Sequence, residues 1–368
     1  MRCWRLFAKI KAYLPLYAWA FLAFALLSGG IYLVAVLSPT FAAWFNGSVG
    51  HAMRTALAAL TAWIPFSLAE LLLYLLPFLL AFVARHAWRH YAETWGQTLR
   101  FFCIILTACS LFFSTFVLSF GTGYHTEALD KRLSLSAGEI DAAALEATAA
   151  ALVSELNTLA PTIEYGADGF SKMPATVAEM NDKLLTAYDR VSLEYPFIRT
   201  MKSRVKTVAA SRLMSYTHIT GVYTYFTGEA NLNTHFPDYT LPFTAAHEMA
   251  HQRGIARENE ASFVAFLACT ASEEPYIRYA GYLNLYEYVT AVLYHADKEA
   301  HFALLKTLHP AVLGELRAYD AFFEEFADAP MADLSDAVND TFLKLNGNEA
   351  GTASYGLVVE LAVAYYRK

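Results

Sequence analysis

The sequence predicts a mainly α-helical chain in which three transmembrane helices precede a mostly helical α+β domain with a small β-sheet. Two observations carry that expectation. The first third holds three apolar runs of about the 20 residues that a helix needs to cross a bilayer. The remainder shows apolar residues at three- and four-residue spacing, interrupted once by a β-branched and aromatic alternation. Composition agrees: of 368 residues, 56% are hydrophobic and only 17% charged, too apolar for an average soluble globule.

The first run is Leu16 to Leu37, without a charge; the second, Trp63 to Ala84, contains Glu70 and Pro77; the third is Phe101 to Phe120, again uncharged. The first is longer than the 7 to 15 apolar residues of a cleaved signal peptide and reads as an uncleaved anchor. Before Gly121 the only acidic residues are Glu70 and Glu93, against eight basic ones, so that part carries +6 and the rest −13. The expected division is a membrane anchor over 1–121 and an acidic soluble domain over 122–368. That acidity, with no basic stripe, argues against a nucleic-acid partner.

Arg2, Arg5, Lys9 and Lys11 precede the first run, and Arg85, Arg89 and Arg100 lie between the second and third; the segment 38–62 holds only Arg54. Basic residues favour the cytoplasmic side. The expectation is therefore a three-span protein of the cell membrane with its N-terminus cytoplasmic and its C-terminal domain extracytoplasmic. Glu70 in the second run reads as snorkelling to the interface, with a functional role as the alternative. The stretch Phe41 to Trp63 reads as an interfacial helix along the outer surface.

Within the soluble part, Ser136 followed by Glu139 predicts a helix start ahead of the alanine-rich run that follows. A second helix is expected over Val177 to Tyr195, stopped by Pro196. One or two strands are expected in "ITGVYTYFTGEANLNT", and further helices over 275–297, 304–327 and 353–368. Of the four cysteines, Cys3, Cys103, Cys109 and Cys269, only Cys269 lies in the soluble part, which excludes a disulfide within it. All four read as small apolar residues.

Chemistry is concentrated in "LPFTAAHEMAHQRGIARENEASFVAFLAC", Leu241 to Cys269. On a helix, His247 and His251 share a face and can present two imidazole nitrogens to one zinc ion. Glu248 stands beside them as general base for a water whose pKa the metal lowers, and the reaction implied is hydrolysis of a peptide bond. Chance placement gives about 0.02 such motifs in a chain of this composition, so context must carry part of the weight. Gly254 offers the helix a C-terminal stop.

A catalytic zinc takes three protein ligands and keeps one open position. Glu258 and Glu260 follow on different faces of the next helix; Glu258, on the face of Ser262, is preferred and Glu260 is the alternative. Arg257 stands where the HExxHxxGxxH pattern has its third histidine, which disfavours that subclass. Arg278, Tyr279 and Tyr282 are candidate oxyanion donors, and the "GVYTYFTGEANLN" strand is a candidate edge for an extended peptide. His218, His235, His295, His301 and His309 lack ligand spacing with one another. A metal-binding sensor or transducer at the bacterial envelope that does not catalyse is the rival to a peptidase.

The same stretch, with "GVYTYFTGEANLN" before it, "RYAGYLNLYEYV" behind it and the three-span N-terminus, resembles the bacterial membrane-protein family known as domain of unknown function 3810. The resemblance is nearly chain-long and implies a zincin-like metallopeptidase domain outside the membrane. A looser likeness is to membrane gluzincins, whose third ligand opens a Glu-x-x-Ala-Asp motif. Glu258, Asn259, Glu260, Ala261 and Ser262 match that register, except that Ser262 stands in the Asp position.

Overall fold

A computed structural model describes residues 16–136, 138, 140–346 and 357–368. Among the described residues, three helices are long and apolar enough to cross a membrane: α1 (Leu16–Leu37), α4 (Leu68–Tyr91) and α5 (Trp95–Ser119). Between α1 and α4 lie α2 (Pro39–Phe45) and α3 (His51–Thr61), joined by a π-helical turn over Asn46–Gly50. The second span starts five residues later than the apolar run does, because Ser67 caps it, its side chain accepting the Glu70 amide at 3.0 Å. The third starts at Trp95, where Thr94 and Gln97 form a reciprocal capping box.

α1 and α5 pack along each other through small and hydroxylated side chains, Ala18, Ser28 and Ala35 against a buried Thr107, Ser110 and Ser114 face. Small residues allow the close backbone approach on which helix packing in lipid depends. α4 buries no residue of its own. It is held at its N-terminus, where the buried Glu229 carboxylate accepts the amides of Leu68 (3.1 Å) and Ala69 (2.9 Å) and pairs with Lys206 at 2.5 Å. An acid there meets both the orphan amides and the positive end of the helix dipole.

The remaining chain is mainly helical: α6 (Ala142–Leu159), α7 (Val177–Glu194), α8 (Thr240–Gln252), α9 (Glu258–Thr270), α10 (Pro275–Ala296), α11 (Lys298–Leu305), α12 (Pro310–Phe323), α13 (Pro330–Leu345) and α14 (Val358–Tyr366). A three-stranded sheet, ordered β1-β3-β2, comprises β1 (Lys206–Thr207), β2 (Gly221–Thr224) and β3 (Glu229–Leu232). β1 runs parallel and β2 antiparallel to the central β3. α8 lies against β2 and β3 on one side and α9 and α10 on the other, so its residues are buried almost throughout.

Several expectations change. α6 starts after Asp141, whose side chain accepts the Ala144 amide at 2.8 Å, and not at Ser136; Glu139 lies outside the described residues. The helix expected over 304–327 is interrupted, because Pro310 sits at the first position of α12 and can start a helix but not continue one. α13 and β1 are additions to the expected set. Of the 353–368 helix, only the part from 357 is described, and α14 occupies it.

The stretch Phe41 to Trp63 does not simply lie on the surface. It buries Asn46, Arg54, Ala58 and Thr61, which meet Gly254, Gln252, Gly228 and Thr227. Gly228, at φ +72°, lets that turn come against Leu57 and Ala58, and any Cβ there would stand 2.7 Å from Leu57 Cβ and from the Ala58 backbone nitrogen. Glu70 does not snorkel freely: its carboxylate accepts the amides of Ala209 (2.8 Å) and Ala210 (2.9 Å).

Candidate metal centre

α8 ends in a turn that sets the geometry of the site. Gly254 adopts φ +90°, its N–H donates to the His251 carbonyl at 2.9 Å, and Ile255 N–H reaches back to Ala250 at 3.1 Å. This is a Schellman arrangement, which a residue with a Cβ adopts only under strain. It turns the Ile255 carbonyl back under His251, where it lies 2.7 Å from Nδ1. A carbonyl only accepts, so Nδ1 carries a proton, and in the neutral ring the lone pair lies on Nε2. His247 Nδ1 is likewise engaged, 3.2 Å from the Ser262 hydroxyl on α9.

Both Nε2 atoms and Glu258 converge. His247 Nε2 is 3.0 Å from His251 Nε2 and 3.1 Å from Glu258 Oε2, and His251 Nε2 is 3.4 Å from the same oxygen. Three donor atoms at about 2.0–2.1 Å around a tetrahedral ion stand about 3.3 Å apart, so the observed triangle has the size that such an ion requires. With His251 Nδ1 engaged by a carbonyl and His247 Nδ1 by a hydroxyl, both Nε2 atoms and a carboxylate face one point, a donor set that fits a cation once His251 has given up its second proton. His247, His251 and Glu258 form a group that could hold a metal ion.

Glu260 is turned away: its Oε1 accepts from Arg257 at 2.7 Å and from the Leu129 amide at 3.0 Å. Arg257 also donates to the carbonyls of Tyr124 and Thr126, so its place in the sequence serves α9 and the connection that follows α5.

Glu248 is buried beside the triangle, and its Oε2 has no hydrogen-bond partner. Burial, reinforced by the charge of Glu258 and opposed by His251 and the Tyr223 amide, pushes its carboxyl up to about 8. Burial opposes protonation of His251, yet the charge and hydrogen bond of Glu258 dominate and raise it to about 9. Burial also disfavours the Glu258 carboxylate, but the two histidines hold it well below the usual range. Desolvation lowers His247.

Gly221 on β2 makes the room that Glu248 occupies. A Cβ there would stand 2.8 Å from Glu248 Cγ and Oε1 and from Thr244 Cγ2. Tyr223 stacks on His251 with ring centres 6.4 Å apart, and Phe120, directly after α5, meets the same ring edge-on at 5.7 Å. Tyr124 lies beside Glu258, whose charge adds to burial in raising the phenol well above 10. Nothing in the local sequence marks these aromatics as partners of the histidines; the "GVYTYFTG" alternation is the single cue, and it pointed to a strand. The candidate oxyanion donors are engaged elsewhere: Tyr279 donates to the buried Glu315, while Arg278 pairs with Glu155 at 3.5 Å and bonds Tyr282.

The C-terminal end of α8 is closed by the segment between α1 and α4. Arg54 of α3, fully buried, donates to the carbonyls of Gln252 (2.9 Å), Ser119 (2.6 Å), Asn46 (2.9 Å) and Arg253 (3.4 Å) and to the Asn46 side chain (2.8 Å). Asn46 in turn donates to the Gly254 carbonyl at 2.8 Å. Burial lowers the guanidinium to about 10, which leaves it charged at neutral pH, where it complements the negative end of the helix.

No curated protein and no solved structure gives a significant match to this chain. A family model described as "Protein of unknown function (DUF3810)" matches residues 47–363, which takes in the second and third apolar helices and the metal group and leaves the first apolar helix outside. That match spans most of the 368 residues, and the chain therefore belongs to the DUF3810 family.

Proposed function

We propose that this protein is a membrane-anchored, zinc-dependent metallopeptidase of zincin-like, gluzincin type, in which His247, His251 and Glu258 hold the ion and Glu248 is the general base. The observation that carries the reading is the convergence of three donor atoms beside a buried carboxyl with one unpartnered oxygen. Zinc bound there would supply Lewis acidity toward a water and a substrate carbonyl. Glu248, poised near neutrality by burial, takes the proton of the attacking water and returns it to the leaving amine. Ser262 and the Ile255 carbonyl fix the two imidazoles so that Nε2 stays available. β2 is an edge strand with Val222 exposed, which suits an extended peptide added along it. The distribution of basic residues supports a cytoplasmic N-terminus and a domain outside the cytoplasmic membrane.

A second reading, a metal-holding sensor without turnover, draws on Arg54, Glu70 and Glu229, which tie the membrane-proximal segments to α8, to residues 209–210 and to the sheet. The full chain, purified in detergent and loaded with zinc, separates the two when offered a peptide library beside Glu248→Gln. A peptidase cleaves and the variant keeps its zinc but does not. A wild type that cuts nothing, with a variant that supports normal cell function, defeats the peptidase reading.

A further inference from the structure

We infer that α13 lies in the membrane interface, with one face of the helix immersed in the lipid of the leaflet on the domain's side. Met331, Leu334, Val338, Phe342 and Leu345 follow one another at spacings of three, four, four and three residues, which places them in one narrow stripe. They are 54%, 58%, 63%, 38% and 79% exposed, although each is a large apolar side chain. The face packed on the protein is a different one, represented by Ala332 and Leu343. Asp333, Asp336 and Asp340 occupy the side opposite the stripe.

Both approaches to α13 are tied to ends of the membrane-crossing helices. Just before it, Glu325 pairs with Arg212 at 2.9 Å, and Phe326 meets the Tyr216 ring at 5.0 Å. Those partners continue from Ala209 and Ala210, whose amides are held by Glu70 in the first turn of α4. At the other end, Phe342 packs on Phe116 near the end of α5 with ring centres 6.0 Å apart, and Asn346 meets Tyr32 of α1 at 3.5 Å. Phe116 lies three residues from the end of its helix and Tyr32 five, so at 1.5 Å per residue the contact is roughly 5–8 Å inside the span ends. That is the depth at which amphipathic helices rest in the boundary between headgroups and acyl chains.

A helix fixed at both ends to these positions runs across the span ends and not away from them. Since Phe342 belongs to the stripe and touches α5, the stripe faces the membrane side while the aspartates face water. The occupant that the contacts indicate is therefore lipid, continuous with the lipid that surrounds α4 and α5. The same placement brings the bilayer surface close to the metal group through a run of ring contacts, Phe342 to Tyr124 (6.3 Å), Tyr124 to Phe120 (5.7 Å) and Phe120 to His251 (5.7 Å).

Spin labelling of the full chain in phosphatidylcholine vesicles tests this. Cys3, Cys103 and Cys109 are replaced by alanine, Cys269 is left because it is fully buried, and single labels are placed through Leu334→Cys, Val338→Cys and Asp336→Cys. Labels at 334 and 338 should collide readily with oxygen and poorly with a water-soluble nickel chelate, giving an oxygen-to-nickel ratio several-fold above that at 336. Equal ratios at all three positions would place the stripe in water and overturn the inference. Low collision with both reagents at 334 and 338, with spin–spin broadening, would replace lipid by a second copy of the chain; without broadening, by another part of this one. Either result overturns it.

Discussion

The Nε–H of Arg54 donates to the carbonyl of Gln252 at 2.9 Å, so a residue from the connection between the first two apolar helices closes the end of the helix that carries both histidines. The guanidinium fork satisfies carbonyls from three separate segments at once. Arg54→Met removes every one of those bonds and leaves buried acceptors without donors, each costing about 1–3 kcal/mol. The expected loss is at least about 3 kcal/mol, read as a large fall in Tm of the full chain in detergent. Arg54→Lys supplies a point charge without the fork and should recover less than half of the loss. A Tm unchanged in Arg54→Met would mean that this connection does not stabilise α8.

Metal content distinguishes the two acidic residues that follow the histidines. His247→Ala and Glu258→Ala each remove a donor from the triangle, and the bound ion per chain should fall from about one to near zero by elemental analysis. Glu260→Gln should leave the metal in place, because that carboxylate is spent on Arg257 and the Leu129 amide. Its effect should appear as lowered stability. Metal lost in Glu260→Gln at full stability would reverse the ligand assignment.

Much of this site was legible in sequence because its signals are local. The i, i+4 histidines, the glycine that ends their helix and the face shared by Glu258 and Ser262 all lie within sixteen residues, and helical geometry alone brings them together. The same holds for the three apolar helices, whose existence follows from length and composition. What stayed hidden depends on contacts distant in sequence. Arg54 reads as a lone basic residue in a loop, and its partners on the helix end, Gln252 and Arg253, lie some two hundred residues away. Ser262, on the Glu258 face, is placed to support a ligand, but which one it meets, His247, depends on how α9 packs on α8. Phe120 reads as the last residue of a span and serves as a wall of the candidate metal site. α13 carries a clear amphipathic stripe, but its spacing does not distinguish a stripe turned to the core from one turned to lipid.

An ion held by the triangle would compete with a proton for His251. Without metal, the ring holds its proton up to about 9, because Glu258 outweighs the burial penalty. A folded value above the unfolded 6.5 contributes stability that is fully present below pH 6.5 and lost as pH rises through 9. The metal-free chain should therefore lose stability over that window. Glu248, raised from 4.5 to about 8, acts in the same direction between those values. Metal binding must displace the His251 proton, so apparent affinity should rise about tenfold per pH unit until the ring is neutral. Calorimetric titration in two buffers of different ionisation enthalpy should show proton release at pH 7. No release would mean that His251 is already neutral in the metal-free site.

Gly221 provides a way to disturb the proposed base without touching the proposed ligands. The Cβ introduced by Gly221→Ala meets Glu248 Cγ and Oε1 and Thr244 Cγ2 at 2.8 Å, all on the β2 face of α8. Its φ is not in the left-handed region, so no backbone strain is added. The cost falls on side chains and should be about 1–3 kcal/mol, within the range of other overpacked interiors. Thr244 is held within a helix buried on both sides, which leaves the Glu248 carboxylate as the group that moves. Metal stoichiometry should stay at wild type, because His247, His251 and Glu258 are not contacted. Against any peptide that the wild type cleaves, kcat should fall at least about tenfold, since proton transfer requires hydrogen-bond reach. Val222→Ala, next along the same strand but exposed, should keep both metal and kcat. Full kcat in Gly221→Ala with the carboxylate displaced would remove Glu248 from the role of base.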